Sequence, residues 1–332
     1  MKVLLIGTAD LTGEKIGGQL EKTRLVHNFL RKEEGMDIEF INMMNDGRGL
    51  GLITKVINKY RKNDCVVVIT SSRGTRMLST IFSILYLIKK KPIVYLIVGN
   101  QQDLLKSFSK MKRRSIAKVY FEVDTMQDEL RDKYNVGYFS NCKEIHVNDG
   151  SVDQSKPLKI CYYSEVSKRK GFDLLIDALD EVNKDFHKYT LDVYGFFSSD
   201  ENDMRKLLNS REYADFKGTI KRELSQNTLS QYCFMVFPSR HKQEGVPGAI
   251  VDAYEAGLPV ISSNVGFLPQ VVKNEQTGFL FEEEGQLVNL LEEAYTNSDM
   301  VDRFRMNALE EAKKYDIKES IKKLHTDLIE MI

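Results

Sequence analysis

Short, nearly unbroken apolar runs recur along the first part of the chain, and each is followed by a segment with helical spacing. "KVLLIG" (Lys2 to Gly7) comes first; "DIEFINM", "DCVVVIT" and "PIVYLIV" follow, rich in Val and Ile. Apolar runs of this length suit strands buried on both faces. Between them, the stretch from Leu20 to Arg31 puts Leu20, Thr23, Val26, His27 and Leu30 on one side of a helix. Repeated strand-then-helix order predicts a parallel sheet covered on both faces. "KVYFEV" and "VGYFSN" carry the pattern to Cys142.

The pattern then breaks. "NDGSVDQSKPLK" (Asn148 to Lys159) is polar, contains Gly and Pro, and has no period, which predicts a linker. Alternation restarts with strand "KICYYS" and helix "GFDLLIDALDEVN", then strands "TLDVYG", "CFMVFPS", "LPVISS" and "TGFLF", each separated by a helical stretch. The end of the chain reads as helices only. Leu290, Leu291 and Ala294 form one apolar stripe, Phe304 and Ala308 another, and Ile321, Leu324 and Leu328 a third. Two successive doubly wound α/β domains are expected, 1–150 and 151–315, with ligand crevices at the carboxyl ends of their strands.

Composition narrows the field. The 332 residues hold 48 basic and 48 acidic side chains, so no nucleic acid is implied as a partner. Cys65, Cys142, Cys161 and Cys233 stand alone, without a Cys-x-x-Cys pair; buried free thiols in a reducing cytoplasm are the expectation, with no metal centre. The five histidines show no ligand spacing. "MKVLLIGTADLTG" turns polar too early for a signal peptide. "MLSTIFSILYLI" (Met77 to Ile88) is short of the roughly 20 residues of a membrane span and reads as a buried helix.

Three strand-to-helix turns carry candidate chemistry. The first, "GTADLTGEKIGGQLEKT", places Gly17 and Gly18 at a helix start, where backbone can approach an anion. Its spacing fits neither the dinucleotide fingerprint nor a P-loop, and a plain turn is the simple alternative. The second, "YYSEVSKRKGFDLL", crowds Lys168, Arg169 and Lys170 before a helix. Cations there oppose the helix dipole. They suit a bound phosphate, the alternative being a solvated basic turn.

The third turn is "CFMVFPSRHKQEGVPGAIVDAYEAG". Pro247-Gly248 opens a helix, Glu244 lies in the loop before it, and Asp252 sits in its second turn, roughly 7 Å along the axis. Hydrolase carboxylates face one bond, whereas these two flank a helix N-terminus whose free amides suit a phosphate. Carboxylates on either side of an anion site suit sugar and ribose hydroxyls. A solvated helix acid is the plain alternative for Asp252.

The stretch "EGVPGAIVDAYEAGLPVISSNVGFLPQVV…TGFLF" resembles the donor-site signature of family 4 glycosyltransferases of GT-B fold: Glu-x7-Glu, a helix, "G-x-P-V-I", and an "N/D-G-x-x-G-x-L" strand. Lys159 to Gly171 is similar to that family's "G-R-x-x-x-x-K-G" turn. The likeness covers the second half; the first half fits more loosely, through the Gly17-Gly18 loop, "KTRLV" and "VGYFSN".

The resemblance implies two Rossmann-like domains facing a cleft, with a last helix, 316–332, packing back on the first. It implies transfer of a hexose-type sugar, with retention and without a cofactor or metal, from a nucleotide-sugar donor, UDP-linked in the first instance. The acceptor would be a glycan or lipid-linked molecule in cell-surface polysaccharide synthesis. Carried over, Glu244 would bind the transferred sugar and Lys170 the diphosphate; these two are the candidate catalytic residues. The amides of Gly245, Val246, Pro247, Gly248 and Ala249 would line the donor, apart from proline's missing N–H. Asp252 would reach the ribose, Ile220 the base, and Gly17 and Gly18 a donor phosphate.

Three positions depart from the family. Asp252 is one methylene shorter than the usual Glu. Glu165 stands where a phosphate-binding Arg is usual, with Arg169 and Arg240 as candidate compensating charges. Val98-Gly99-Asn100 replaces a His found in many members. These departures keep open a second expectation, a catalytically degenerate binding subunit. Finally, Leu104, Leu105, Phe108 and Met111 recur at helical spacing among six cations of 104–118. Such a stretch suits an anionic membrane surface, at the inner face of the cell membrane, or a helix of the fold with a solvated basic end.

Overall fold

The computed structural model describes residues 1–12, 18–46, 49–123, 125–146, 155–198 and 201–332. The chain divides into two compact units, one of Met1–Glu144 with Asp316–Ile332, the other of Ile145–Tyr315. Gly17 and most of the polar stretch expected as a linker lie outside the described residues.

The first unit runs β1 (Lys2–Gly7), α1 (Gly18–Leu30), β2 (Asp37–Asn42), α2 (Leu50–Lys62), β3 (Cys65–Ile69), α3 (Ser72–Ile88), β4 (Ile93–Leu96), α4 (Gln102–Lys106), α5 (Lys110–Arg114), β5 (Lys118–Phe121), α6 (Thr125–Asp128) and β6 (Val136–Tyr138). The second runs β7 (Leu158–Tyr163), α7 (Phe172–Val182), β8 (Tyr189–Tyr194), α8 (Glu201–Asn209), β9 (Ala214–Gly218), α9 (Arg222–Leu229), β10 (Phe234–Phe237), α10 (Gly248–Glu255), β11 (Val260–Ser263), α11 (Leu268–Val271), β12 (Gly278–Phe281), α12 (Gln286–Thr296) and α13 (Ser298–Ala312). Helix α14 (Ile317–Glu330) belongs to the first unit.

Both sheets are six-stranded, ordered β2-β1-β3-β4-β5-β6 and β12-β11-β10-β7-β8-β9, and every pairing is parallel. The Val- and Ile-rich runs form the central strands because they are buried on both faces. In each sheet the strand order reverses once, between β1 and β3 and between β7 and β10. Those reversals open the crevices where ligands of such sheets bind.

The first core packs β1, β3 and α1 side chains with Ile317, Ile321, Leu324 and Leu328 of α14. Lys118 and Tyr120 hold Asp327 of the same helix. Lys22 of α1 is buried with its ammonium 2.9 Å from Glu122 Oε1 and bonded to the Ile97 and Phe139 carbonyls. The other Glu122 oxygen accepts from the Gly99 amide at 3.0 Å. A buried ion pair is tolerable because its remaining bonding capacity is used, and here it ties α1 to the ends of β4, β5 and β6.

Two sequence expectations change. The apolar stripe of 104–118 is split between α4 and α5, and Leu104, Leu105 and Phe108 are buried in the unit; that stripe serves the fold and leaves only Met111 of the four exposed. Conversely, the helix expected to be buried over Met77 to Ile88 is buried along one side only, with Ile84, Leu87 and Ile88 in solvent.

Candidate functional site

The crevice between β7 and β10 brings together the loops that follow those strands. After β7 the chain runs through Ser164 to a short 3-10 turn, Lys168–Lys170, capped by Ser167, whose hydroxyl accepts from the Lys170 amide at 3.3 Å. Tyr162 OH donates to the Glu165 carbonyl at 2.7 Å, and burial raises this phenol's pKa well above its ordinary value. Gly171 closes the turn at φ 71°, its α-carbon so close to the loop after β10 that a Cβ would lie 1.9 Å from the Pro238 carbonyl oxygen. Only glycine fits both the left-handed backbone and that approach.

After β10, Ser239 to Glu244 form the opposing loop. Lys170 and Glu244 meet across the crevice: the ammonium lies 2.9 Å from Oε1 and 2.7 Å from Oε2. Ser239 Oγ donates to Glu244 Oε2 at 2.7 Å. The Glu244 backbone is gripped from a third loop, since its carbonyl accepts from Phe267 N at 2.9 Å and Gly266, at φ 56°, packs directly on it. The two candidate catalytic residues are therefore ion partners, about nine-tenths buried. Sequence spacing pointed to both residues but gave no sign of their pairing.

Gly245, Val246 and Pro247 lead from Glu244 into α10. Pro247 is the N-cap, at φ −70° and ψ 128°, and Gly248 the first helical residue, so the proline stands one place outside the turn where the sequence suggested it. The amides of Gly248 and Ala249 lie in the first turn of α10, where no intrahelical acceptor exists.

Asp252 lies four residues into α10 and is buried. Its Oδ1 is 3.2 Å from Arg222 Nη1, and Tyr163 OH donates to its Oδ2 at 3.5 Å. Arg222 at the start of α9 also pairs with Glu255, Nη2 to Oε2 at 2.7 Å, and the other Glu255 oxygen accepts from the His146 amide at 2.9 Å. One guanidinium thus serves two buried carboxylates a helical turn apart. Arg222 was missed in the sequence because its partners lie some thirty residues away; only its place just after Ile220 hinted at it. Ile220 itself is buried between β9 and α9.

The candidate compensating arginines are both engaged. Arg169 Nη2 holds Glu165 Oε2 at 2.8 Å. Arg240 spans Glu284 at 2.7 Å and Asp173 at 2.6 Å, and these bonds, Glu284's foremost, raise its pKa further. In the first unit, Gly18 begins α1 with open space where a Cβ would stand. Among the described residues no cluster of His, Cys, Asp and Glu fits a metal ion.

Two parallel, doubly wound units of this order define a GT-B fold. The chain is similar to Anabaena Alr3699/HepE solved with UDP and glucose, at a TM-score of 0.74 and 18% identity, over 99% of this chain and 100% of that one. It is also similar to the lipopolysaccharide outer core galactosyltransferase WaaB, at 0.73 and 14%, over the full length of both. Residues 148–311, the stretch containing Lys170, Glu244 and Asp252, match the family model described as Glycosyl transferases group 1. Among curated proteins, an uncharacterized 41.2 kDa protein of the cps region of Klebsiella pneumoniae is 24% identical over 61% of this chain and 56% of its own length. The GtfA subunit of the Streptococcus pneumoniae UDP-N-acetylglucosamine–peptide N-acetylglucosaminyltransferase is 26% identical over 58% and 39%. The match thus spans little more than half of the first relative and well under half of the second.

Proposed function

We propose that the chain is a retaining glycosyltransferase of the family 4 type, moving a hexose-type sugar from a UDP-sugar to a glycan or lipid-linked acceptor in the synthesis of a cell-surface polysaccharide. The observation that carries the reading is the Lys170–Glu244 pair at the strand-order reversal, beside the N-terminus of α10. The likeness to proteins named for UDP-linked sugars and to a cps-region protein supports donor and setting.

Each group has a task in that reaction. When the glycosyl–phosphate bond breaks, negative charge grows on the departing diphosphate. Lys170 and the α10 amides would oppose that charge from fixed positions, stabilising the transition state more than the bound donor. Glu244, held by Ser239 and by its gripped backbone, would orient the sugar hydroxyls. Asp252 with Arg222 would meet the ribose end. The proposal assigns no covalent nucleophile, metal or resident cofactor.

Calorimetry with UDP and with UDP-, GDP- and ADP-sugars, followed by donor turnover with and without a glycan acceptor, tests the reading. Binding of one nucleotide series and acceptor-dependent release of its diphosphate are expected; absence of binding in every series overturns it. Glu165 supports the second reading, a degenerate binding subunit, because it sets a carboxylate at the family's phosphate-binding position. Under the enzyme reading, Glu165→Arg frees Arg169 and tightens UDP binding. Donor binding with no turnover in either form would favour the degenerate subunit.

A further inference from the structure

The first sheet has a strand-order reversal of its own, between β1 and β3, and crevices at such points take ligands. The turn leaving β3 there, "TSSRGTR" (Thr70 to Arg76), feeds the N-terminus of α3, a helix of 17 residues. Ser71 holds the N-cap position, from which serine commonly closes a helix amide, yet its side chain makes no capping bond. The Thr75 amide donates to the Ser71 carbonyl at 2.9 Å; the amides of Ser72, Arg73 and Gly74 precede it and have no helical acceptor. The first turn holds no acid. Arg73 and Arg76, one turn apart on the same face, are exposed and have no ion-pair partner among the described residues. Cations at this end oppose the helix dipole, so they do not serve the helix. Ser71 and Ser72 are exposed as well, which leaves the turn open to solvent.

Gln101, just after β4, adds an independent sign. It is 3% exposed. Its amide nitrogen donates to the Thr70 carbonyl at 3.0 Å and to the Val98 carbonyl at 3.1 Å, which fixes the carboxamide against the foot of the turn. Its Oε1 is buried and has no hydrogen-bond partner among the described residues. A buried acceptor left vacant is costly and uncommon. Open donors, unopposed arginines and a vacant acceptor around one turn have no explanation within the unit.

We propose that this turn is a subsite for a sugar phosphate, and that it holds the phosphate-bearing end of the acceptor. Phosphate oxygens accept from the open amides and from the guanidinium groups of Arg73 and Arg76. Gln101 Oε1 accepts from the hydroxyl side of the ligand, directly or through a water. Three amides and two guanidinium groups offer more donors than a carboxylate takes, which favours phosphate. The anion site stands on these residues alone; its part in the reaction rests on the glycosyltransferase reading.

The test is calorimetry of the full chain with glucose 6-phosphate, inorganic phosphate and glucose, with UDP in excess so that the diphosphate position is taken. Two variants accompany the wild type. Arg73→Gln with Arg76→Gln removes both exposed cations. Ser72→Pro removes one amide and leaves the helix intact, because proline suits the first helical position and Ser71, at φ −63° and ψ 168°, already has the backbone that a following proline requires. Glucose 6-phosphate is expected to bind more tightly than inorganic phosphate, and glucose not to bind. Each variant weakens glucose 6-phosphate about ten-fold or more, with an unchanged melting temperature certifying the fold. Glucose 6-phosphate bound no more tightly than inorganic phosphate, or bound by both variants as by the wild type, overturns the proposal. UDP calorimetry on the same samples reads Lys170 and α10 of the other unit and is expected to be the same in all three proteins. Sugar-phosphate binding without UDP binding would overturn the donor reading and the acceptor role with it, while the anion site stands.

Discussion

Lys170 and Glu244 invite a double-mutant cycle with two readouts. At 2.7 Å and an effective dielectric constant of about 20, their gross attraction is about 6 kcal/mol. Desolvation of two largely buried ions cancels much of it. Lys170→Met or Glu244→Gln alone leaves the other charge without its partner and should cost about 2–3 kcal/mol in urea unfolding. The double variant removes both charges and should cost about 3 kcal/mol, a coupling of about 2 kcal/mol. Nucleotide binding should behave differently. A diphosphate must compete with Glu244 for the ammonium, so Glu244→Gln holds or raises UDP affinity while sugar transfer collapses. Lys170→Met lowers UDP affinity about ten-fold or more, and the double variant, though more stable than the sum of its parts, stays weak. Strictly additive stabilities together with UDP affinity unaffected by Lys170→Met would refute the reasoning.

Gly171→Ala should destabilise the chain severely in a thermal melt: left-handed backbone alone costs about 1–2 kcal/mol, and the new Cβ would fall 1.9 Å from a backbone oxygen that cannot swing aside. Arg222→Ala leaves Asp252 and Glu255 buried beside each other without their shared cation, and should cost about 3 kcal/mol; Arg222→Ala with Glu255→Gln should recover part of that loss. The cysteines make a pH prediction. Burial pushes the Cys65 and Cys142 thiols up to about 12, whereas in the unfolded chain they ionise near 8.5. Their contribution to stability is therefore whole below about 8.5 and declines as pH climbs from there toward 12, and a thiol reagent at pH 8 should label the native chain slowly but all four cysteines in urea.

Much of the architecture was legible in the chain because buried parallel strands are continuous apolar runs. "KVLLIG" and "CFMVFPS" could hardly be anything else, and glycine and proline punctuate the turns that follow them. The candidate site residues stood out for a related reason: Lys170, Glu244 and Asp252 fall at strand ends or in the first turns of helices. What periodicity could not give is the partner of a charge. Arg222 sits in an ordinary polar helix, and nothing local says that its fork closes on two acids of α10. Lys22 looks like a solvated helix lysine, yet it is buried against Glu122, a hundred residues away. The 104–118 stretch left two readings open because a stripe at helical spacing reveals a face but not whether that face meets core or solvent; Leu104, Leu105 and Phe108 turn out to meet core. The same ambiguity, in reverse, hid the exposed end of α3.

The first unit is assembled from two pieces of chain that flank the second, and this sets an order of events during synthesis. Residues 145–315 hold all six strands of their own sheet and can close their core as they leave the ribosome. The unit begun by β1 cannot. Leu25, Val26 and Phe29 wait for Ile317, Ile321, Leu324 and Leu328 of α14, and Lys118 and Tyr120 wait for Asp327. The half of the chain made first is thus the half finished last, since its core closes only when α14 arrives.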